Sequence, residues 1–373
     1  MEITVLCKVV DNFGDIGVDW RLAKKLKNIN PENTINLICD NLLSFKKICD
    51  RVDEKLPFQK LEGINLYDWK AFDFCYGEFS GLKNSRLQVI LECFQCGRPD
   101  WMEKILFDDE LNHTVQIIMI DYLSAEDYAE SFHKLQSLTR RGRVKKINFM
   151  PGFTAKTGGL IIDEGWEKLP ERKAEGNILF FTYARNWQPV VKAIRGAEAC
   201  SGKKILCAAG AGQESFVEAW KNYAAAENDF LEERLIVLPF MNQTDWDDMM
   251  KKSSFLFIRG EETLSRACLS GIPFIWHAYP QSDEYQLVKV NALLSRMKPY
   301  FNDEEFSELS AAWQAFNSPE SPENDCLLEE KVSSVLAMQN HLARGFRNFA
   351  LDLRKNGDLG QNLMTFIEEI YIM

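Results

Sequence analysis

The fold class is set by Ile3-Thr4-Val5-Leu6-Cys7-Lys8-Val9-Val10-Asp11-Asn12-Phe13-Gly14-Asp15-Ile16-Gly17. Its first eight residues, Ile3–Val10, form an apolar run with the alternation of a β-strand. The pattern of Val18–Ile29, which follows, places Trp20 and other apolar side chains on one helical face. Glycines in the intervening loop allow tight backbone geometry and close approach of a ligand. A strand, a polar loop and a helix in this order indicate the first βα unit of a parallel sheet.

Strand-like and helical patterns then alternate in two series, separated by a Pro- and Gly-containing connector at Asn148–Leu160. This alternation predicts an α/β protein with two parallel sheets. We expect a first domain at residues 1–160, a second at 161–354, and a C-terminal helix at about 355–373 that packs back on the first domain. The predicted strands are Ile3–Val10, Thr34–Cys39, Gln88–Phe94, Val115–Ile120, Asn177–Tyr183, Lys204–Ala209, Arg234–Phe240, Ser254–Arg259 and Pro273–His277.

Composition and charge exclude several classes of protein. The chain has 373 residues, a formal charge of -11 and a pI of about 5.1, which disfavours a binder that tracks nucleic-acid phosphates. We expect no signal peptide, no membrane span and a cytoplasmic protein, because the N-terminus lacks a basic segment and apolar runs are short. The ten cysteines are expected to be free thiols, and the single CxxC at Cys93 and Cys96 is not expected to bind zinc.

The first candidate for chemistry is the acid pair Asp11 and Asp15, at the carboxyl end of the first predicted strand. Two acids four residues apart can converge on one pocket, where one accepts a proton and the other positions the nucleophile. Spacing alone slightly favours a structural role instead, in which Asp15 caps the helix and Asp11 stabilises the turn. The segment lacks the GxGxxG pattern of a dinucleotide-binding loop.

A second candidate, Arg259–Ala267, follows an apolar strand and opens a helix. Free N–H groups at a helix N-terminus suit a diphosphate, and Thr263 and Arg259 or Arg266 add a hydroxyl and charge. The alternative is that Glu261 and Glu262 only complement the helix dipole.

A third candidate is Pro239–Trp246, where Phe240 and Trp246 could sandwich a flat base while Asn242 and Gln243 read its edge. Both aromatic residues could instead belong to the core. Asp245-Trp246-Asp247 is a DxD sequence, but acids are common at a helix start, so we do not expect a metal.

A fourth candidate is Ile275–Gln281, at the end of another strand. Tyr279 and Gln281 could reach a nucleotide, whereas His277 is expected to be a strand-end histidine with satisfied hydrogen bonds. The basic run Arg140–Lys146 is either solvated surface or a docking site for an acidic partner.

Together these segments resemble the bacterial protein-arginine rhamnosyltransferases that modify elongation factor P, the EarP family. The match covers most of the first 290 residues in order, and its first segment is long and unusual. The segments that carry it are Cys7–Gly17, Trp20–Ala23, Leu91–Phe94, Asp121–Glu126, Pro151–Leu160, Arg259–Glu261 and Trp276–Gln281.

The resemblance implies a GT-B glycosyltransferase fold, in which two Rossmann-like domains face each other across a cleft. The first domain would bind the acceptor, and the second would bind the donor, dTDP-β-L-rhamnose. The acceptor would be an arginine of elongation factor P, which is thereby activated for translation of proline stretches. Transfer would invert the anomeric configuration, without a metal or other cofactor and without a membrane or nucleic-acid partner.

The resemblance also assigns roles. Asp15 matches the general base, Asp11 the second essential acid, and Glu261 is counted with the catalytic residues. The family more often has Phe at the position of Trp246, and Asp and Ser where this chain has Glu262 and Thr263, which keep the charge and the hydroxyl. The donor-binding residues are expected to be Phe13, Gly14, Tyr183, Phe240, Gln243, Trp246, Arg259, Glu262, Thr263, Tyr279 and Gln281.

The chemistry of arginine agrees with a pair of acids. A guanidinium is a poor nucleophile because it is cationic, and carboxylates can clamp it and take a proton as the C–N bond forms. Two rival hypotheses are a GT-B transferase with another nucleotide sugar or acceptor, and a non-catalytic module that binds nucleotide sugars. A nicotinamide dehydrogenase is the weakest rival, because the glycine fingerprint is absent.

Overall fold

The structure, a computed structural model, describes residues 1–9, 14–171, 173–226 and 234–372. The predicted acid Asp11 and the predicted donor contact Phe13 lie outside these ranges. Contacts between Cα atoms divide the chain into two compact units. The first unit contains Met1–Glu164 together with Lys355–Met373, and the second contains Gly165–Arg354.

The first unit is built on an eight-stranded sheet. Its strands are β1 (Glu2–Cys7), β2 (Thr34–Cys39), β3 (Phe58–Leu61), β4 (Ile64–Asp68), β5 (Val89–Cys93), β6 (Val115–Ile120), β7 (Gln136–Ser137) and β8 (Val144–Phe149). Their order is β3-β4-β2-β1-β5-β6-β8-β7, and all neighbours pair in parallel except β3 with β4 and β7 with β8. The described helices are α1 (Gly14–Ile29), α2 (Leu42–Ile48), α3 (Phe72–Phe79), α4 (Asp100–Glu103), α5 (Tyr128–Phe132) and, near the C-terminus, α14 (Leu359–Ile372).

Helix α14 completes the core around α1. Leu363 and Ile367 of α14 are buried in the same apolar cluster as Ile16 and Trp20 of α1. The chain at Gly159 packs closely against Gly357, just before α14 begins. Gly159 adopts a φ of +83°, and a Cβ there would lie 2.9 Å from the backbone oxygen of Gly357. Burial of these side chains keeps the helix that bears Asp15 against the sheet.

The second unit contains a five-stranded parallel sheet in the order β11-β10-β9-β12-β13. Its strands are β9 (Asn177–Phe180), β10 (Ile205–Cys207), β11 (Leu235–Val237), β12 (Ser253–Arg259) and β13 (Phe274–His277). The helices are α6 (Gln188–Gly196), α7 (Gln213–Ala226), α8 (Gln243–Lys251), α9 (Glu261–Ser270), α10 (Tyr285–Met297), α11 (Asp303–Asn317), α12 (Pro322–Ala337) and α13 (Gln339–Lys355).

Each of the nine predicted strands corresponds to a strand in the structure, most of them shorter than predicted. The sequence analysis missed β3, β4, β7 and β8. All ten cysteines lie in the described part of the chain and are free, as predicted. Among the described residues, no helix combines the length and apolar character needed to cross a membrane.

Candidate functional site

Asp15 lies in the first turn of α1, the first described helix after β1. Only 2% of its surface is exposed, so this carboxyl is not a solvated helix cap. The helix begins at Gly14, which places Asp15 within the helix and near its positive end, where a negative charge is favoured. A buried carboxylate at this position can make strong charge-assisted hydrogen bonds.

Asp19 lies one helical turn beyond Asp15 and is completely buried. Its carboxyl group is close to the thiols of Cys7 and Cys93. Burial raises the pKa of Asp19 to about 8, an effect that contacts with the thiols of Cys7 and Cys93 oppose and the charge of Asp15 reinforces. Asp19 is therefore protonated at neutral pH and adds no second negative charge beside Asp15.

Other polar and aromatic groups follow the neighbouring strands at the same edge of this sheet. The ring of Phe94, after β5, stacks on that of Tyr122, after β6, with centres 4.6 Å apart. Phe94 and Gln95 both have a φ of 54°, and Gln95 Nε2 donates to Asp121 Oδ2 at 3.2 Å. Left-handed residues of this kind are concentrated at functional sites. The resemblance included Phe94, Asp121 and Tyr122 but assigned them no role, and it did not include Gln95.

The predicted donor residues of the second unit lie after β9, β11, β12 and β13, or at the end of those strands. Because the five strands are parallel, these segments emerge at one edge of the sheet, where α/β proteins bind ligands. The residues in these segments are Tyr183 after β9, Phe240, Gln243 and Trp246 after β11, Arg259, Glu261, Glu262 and Thr263 at the end of β12, and Tyr279 and Gln281 after β13.

Arg259 supplies a positive charge at this edge. Its guanidinium carbon lies 4.6 Å from the ring centre of Phe181 and 4.7 Å from that of Tyr183. Its Nε is buried and has no hydrogen-bond partner among the described residues. Arg266, the alternative cation, is instead buried against Trp166, at 5.3 Å. Arg259 is therefore the better placed of the two to meet an anion.

The N-terminus of α9 follows Arg259 directly. Gly260 is the N-cap, with a φ of 73° that favours glycine, and the glycine supplies no capping side chain. Glu261 and Glu262 form the first turn and are half-buried, while Thr263 is buried. Backbone N–H groups at the start of a ten-residue helix suit an anionic group such as a diphosphate.

Phe240 and Trp246 flank the start of α8. Phe240 is 45% exposed, whereas Trp246 is half-buried and meets the ring of Phe181 edge-on, with centres 4.8 Å apart. Asn242, a candidate reader of the base edge, caps α8 by accepting from Asp245 N–H at 2.9 Å. A base can stack only on a ring face that is exposed to solvent. Phe240 is therefore more available for stacking than Trp246.

The two acids of the DxD sequence serve different local contacts. Asp245 accepts from Asn242 Nδ2 at 2.9 Å, and buried Asp247 accepts from the indole N–H of Trp166 at 2.8 Å. Both carboxylates thus have local structural partners.

His277 is the strand-end histidine that the sequence predicts. Its Nδ1 accepts the backbone N–H of Tyr183 at 3.2 Å. Burial, together with the smaller effect of the charges of Arg185 and Arg259, lowers the pKa of His277 to about 3. The imidazole is therefore neutral and joins the end of β13 to Tyr183, whose ring lies 5.3 Å from that of Tyr279.

Two glycines after β10 escaped the sequence analysis. A Cβ on Gly212 would lie 2.6 Å from the backbone oxygen of Thr182, and one on Gly210 would lie 2.9 Å from the ring of Phe181. These positions need glycine so that the chain can pass close to the segment after β9. The signal was present, since a Gly-Ala-Gly sequence between an apolar strand and a helix is typical of a ligand-approach loop.

Solved structures with the same fold define the class of protein. The chain superposes on the structure described as "Structural basis for EarP-mediated arginine glycosylation of translation elongation factor EF-P", with a TM-score of 0.56, 17% identity and 99% of each chain covered. A structure of Phytolacca americana UGT2 gives a TM-score of 0.57 with 9% identity, again over 99% of each chain. The protein has the GT-B glycosyltransferase fold, which confirms the predicted fold class.

Sequence comparisons define the family. A sequence model of the family described as "Elongation-Factor P (EF-P) rhamnosyltransferase EarP" matches residues 3–177 and 165–368. A protein-arginine rhamnosyltransferase of Shewanella oneidensis is 27% identical over 98% of this chain and 97% of its own length. A protein-arginine rhamnosyltransferase of Pseudomonas aeruginosa is 28% identical over 84% of this chain and 86% of its own length. The chain belongs to the EarP family of EF-P rhamnosyltransferases and is a glycosyltransferase.

Proposed function

We infer that the protein transfers L-rhamnose from dTDP-β-L-rhamnose to an arginine side chain of elongation factor P, with inversion and without a metal. The observation that carries this proposal is the family match, which spans nearly the whole chain. It agrees with the groups after the strands of both sheets, which include a buried carboxylate in the first unit and an arginine beside a helix N-terminus in the second.

The second unit would hold the donor. The N–H groups at the start of α9 and the guanidinium of Arg259 would bind the diphosphate and stabilise the negative charge that develops on it as it leaves. Phe240 would stack on thymine, and Tyr183 and Tyr279 would line the sugar and diphosphate. Glu261 and Glu262 would accept hydrogen bonds from sugar hydroxyl groups.

The first unit would supply the base. In the reaction, a terminal guanidinium nitrogen of the acceptor forms a bond to the anomeric carbon, while the bond from that carbon to the diphosphate oxygen breaks. The proton that the nitrogen loses passes to Asp15, and dTDP leaves as the anion. Asp11 would orient the guanidinium by charge-assisted hydrogen bonds. Because the acceptor is a protein of translation, we place the reaction in the cytoplasm.

The test is to incubate the protein with elongation factor P and dTDP-β-L-rhamnose, and then to measure the intact mass of the acceptor. We expect a gain of one deoxyhexose, located on an arginine by fragmentation and found in the α configuration by NMR. Parallel reactions with UDP-glucose and with EDTA test the donor and the absence of a metal. An unmodified acceptor, despite tight binding of dTDP-rhamnose, would instead support a non-catalytic binding module.

A further inference from the structure

β13 forms the outer edge of the five-stranded sheet, and α11 provides hydrogen-bonding partners along that edge. Pro273 O accepts the N–H of Leu256 in β12 at 3.0 Å. Because backbone groups alternate in direction along a strand, Phe274, Trp276 and Ala278 turn theirs to the outer edge. These are the groups that exposed sheet edges must protect or satisfy.

Trp313 and Asn317, one turn apart on α11, satisfy them. Trp313 donates its indole N–H to Phe274 O at 3.1 Å. The side-chain amide of Asn317 donates to Trp276 O and accepts from Ala278 N–H, both at 2.8 Å. A residue of a parallel neighbouring strand bonds to this same pair of groups. Asn317 therefore extends the hydrogen bonding of the sheet one residue beyond the end of β13.

Gln286 of α10 continues this connection. Its Nε2 donates to the backbone oxygen of Asn317 at 3.2 Å, and its Oε1 accepts the N–H of Gln281 at 3.1 Å. The two amide side chains are only 4% and 5% exposed. Together they fix the backbone of Ala278–Gln281 at both ends from the protein interior.

The fixed segment carries two side chains of the proposed donor site. Tyr279 is 61% exposed and Gln281 is also exposed, although the backbone of both ends of the segment is bonded to buried groups. A binding loop held in this way loses less conformational entropy when the ligand binds, which improves affinity without any additional contact.

We propose that Asn317 and Gln286 are positioning residues that hold Ala278–Gln281 in its donor-binding conformation and so set the affinity for the nucleotide sugar. The proposal rests on the proposed function for the identity of the donor. Trp313 provides a control for effects on general stability. It bonds to the same edge of β13, but its partner, Phe274, lies inside the strand and not in Ala278–Gln281.

The test compares Gln286→Met with Trp313→Phe. The first change keeps an unbranched side chain but removes both hydrogen bonds, so we expect about three- to tenfold weaker binding of dTDP by calorimetry. The KM for dTDP-β-L-rhamnose should rise similarly, with little change in kcat or in the KM for the acceptor. Trp313→Phe should lower the melting temperature but leave the affinity for dTDP unchanged.

Gln286→Glu adds a rescue. When protonated, the introduced carboxyl can both donate to Asn317 O and accept from Gln281 N–H, so the affinity of this variant should approach the wild-type value as pH falls. Equal affinity for dTDP in wild type and Gln286→Met, with a lower melting temperature, would overturn the proposal. Failure of the wild-type protein itself to bind dTDP would instead contradict the proposed function, and with it this inference.

Discussion

The guanidinium of Arg259 lies over the ring of Tyr183, with its central carbon 4.7 Å from the ring centre. The register of the sheet pairs Arg259 with His277, whose Nδ1 accepts the N–H of Tyr183. The cation at the end of β12 thus packs on the ring of Tyr183, and the backbone of Tyr183 is in turn bonded to the neutral imidazole of His277 at the end of β13. A cation held in this way is oriented before any ligand binds.

Arg259→Met should weaken the binding of dTDP roughly 10- to 100-fold, because a buried hydrogen bond to a charged group is lost. Arg259→Lys should give an intermediate affinity, since lysine keeps the charge but not the planar fork of donors. Titration calorimetry measures both. Wild-type affinity in the methionine variant would exclude Arg259 from the diphosphate site.

Phe240→Ala should weaken the binding of dTDP roughly tenfold, because base stacking on an aromatic ring is lost. Inhibition by inorganic pyrophosphate, which has no base, should not change. The melting temperature should also stay close to wild type, since the ring is half exposed. Equal losses for dTDP and pyrophosphate would show that Phe240 does not contact thymine.

Asp15→Asn should abolish transfer, because the amide cannot accept the proton that the guanidinium loses. Binding of dTDP should persist, because the proposed donor residues other than Phe13 and Gly14 belong to the second unit. The matched control is Asp73→Asn, which removes an exposed acid from the first turn of α3 in the same unit. Intact-mass analysis of elongation factor P measures transfer, and normal turnover by Asp15→Asn would refute its role as the base.

Asp19→Asn should stabilise the protein in a pH-dependent way. The pKa of Asp19 rises from an ordinary value of 3.8 to about 8 on folding, so the folded state binds a proton that the unfolded state releases above pH 4. Wild-type stability therefore decreases as pH rises from about 4 to 8, and the loss is constant above pH 8.

The asparagine variant has no such proton to bind. The difference in free energy of unfolding between variant and wild type should grow across this window to a few kcal/mol, on the order expected for about four pKa units. Chemical denaturation at several pH values measures it. A difference that does not vary with pH would show that Asp19 is ionised in the folded protein.

The buried parallel strands could be predicted because both of their faces are covered, so they appear as continuous apolar runs. β8 could not, since it contains Lys145 and Lys146 within the basic run. The structure shows that Lys146 lies 3.6 Å from buried Glu92 and that Arg141 donates to the backbone oxygens of Leu106 and Asp109. These charged side chains have partners that are close in space but distant in sequence, and a pattern along the sequence does not reveal such partners.

Some residues of the candidate site could likewise be predicted from the sequence, and others could not. Groups at strand ends, such as Arg259 and Tyr279, could be predicted because topology brings those ends to one edge. Phe181 and Asn317 could not, because their roles depend on contacts far along the chain, such as those of Phe181 with Trp246 and of Asn317 with Trp276. The roles of all the predicted site residues remain predictions, and those of Asp11 and Phe13 concern positions outside the described residues.

The discontinuous first unit has a consequence for biosynthesis. Its sheet and α1 are translated first, but Leu363 and Ile367, which cover α1, are translated after the entire second unit. The usual order, in which an N-terminal domain folds before the next one is made, is therefore reversed for the unit that carries Asp15. A chain truncated before Leu359 would therefore contain every residue of the five-stranded sheet but would lack the helix that completes the apolar cluster around α1.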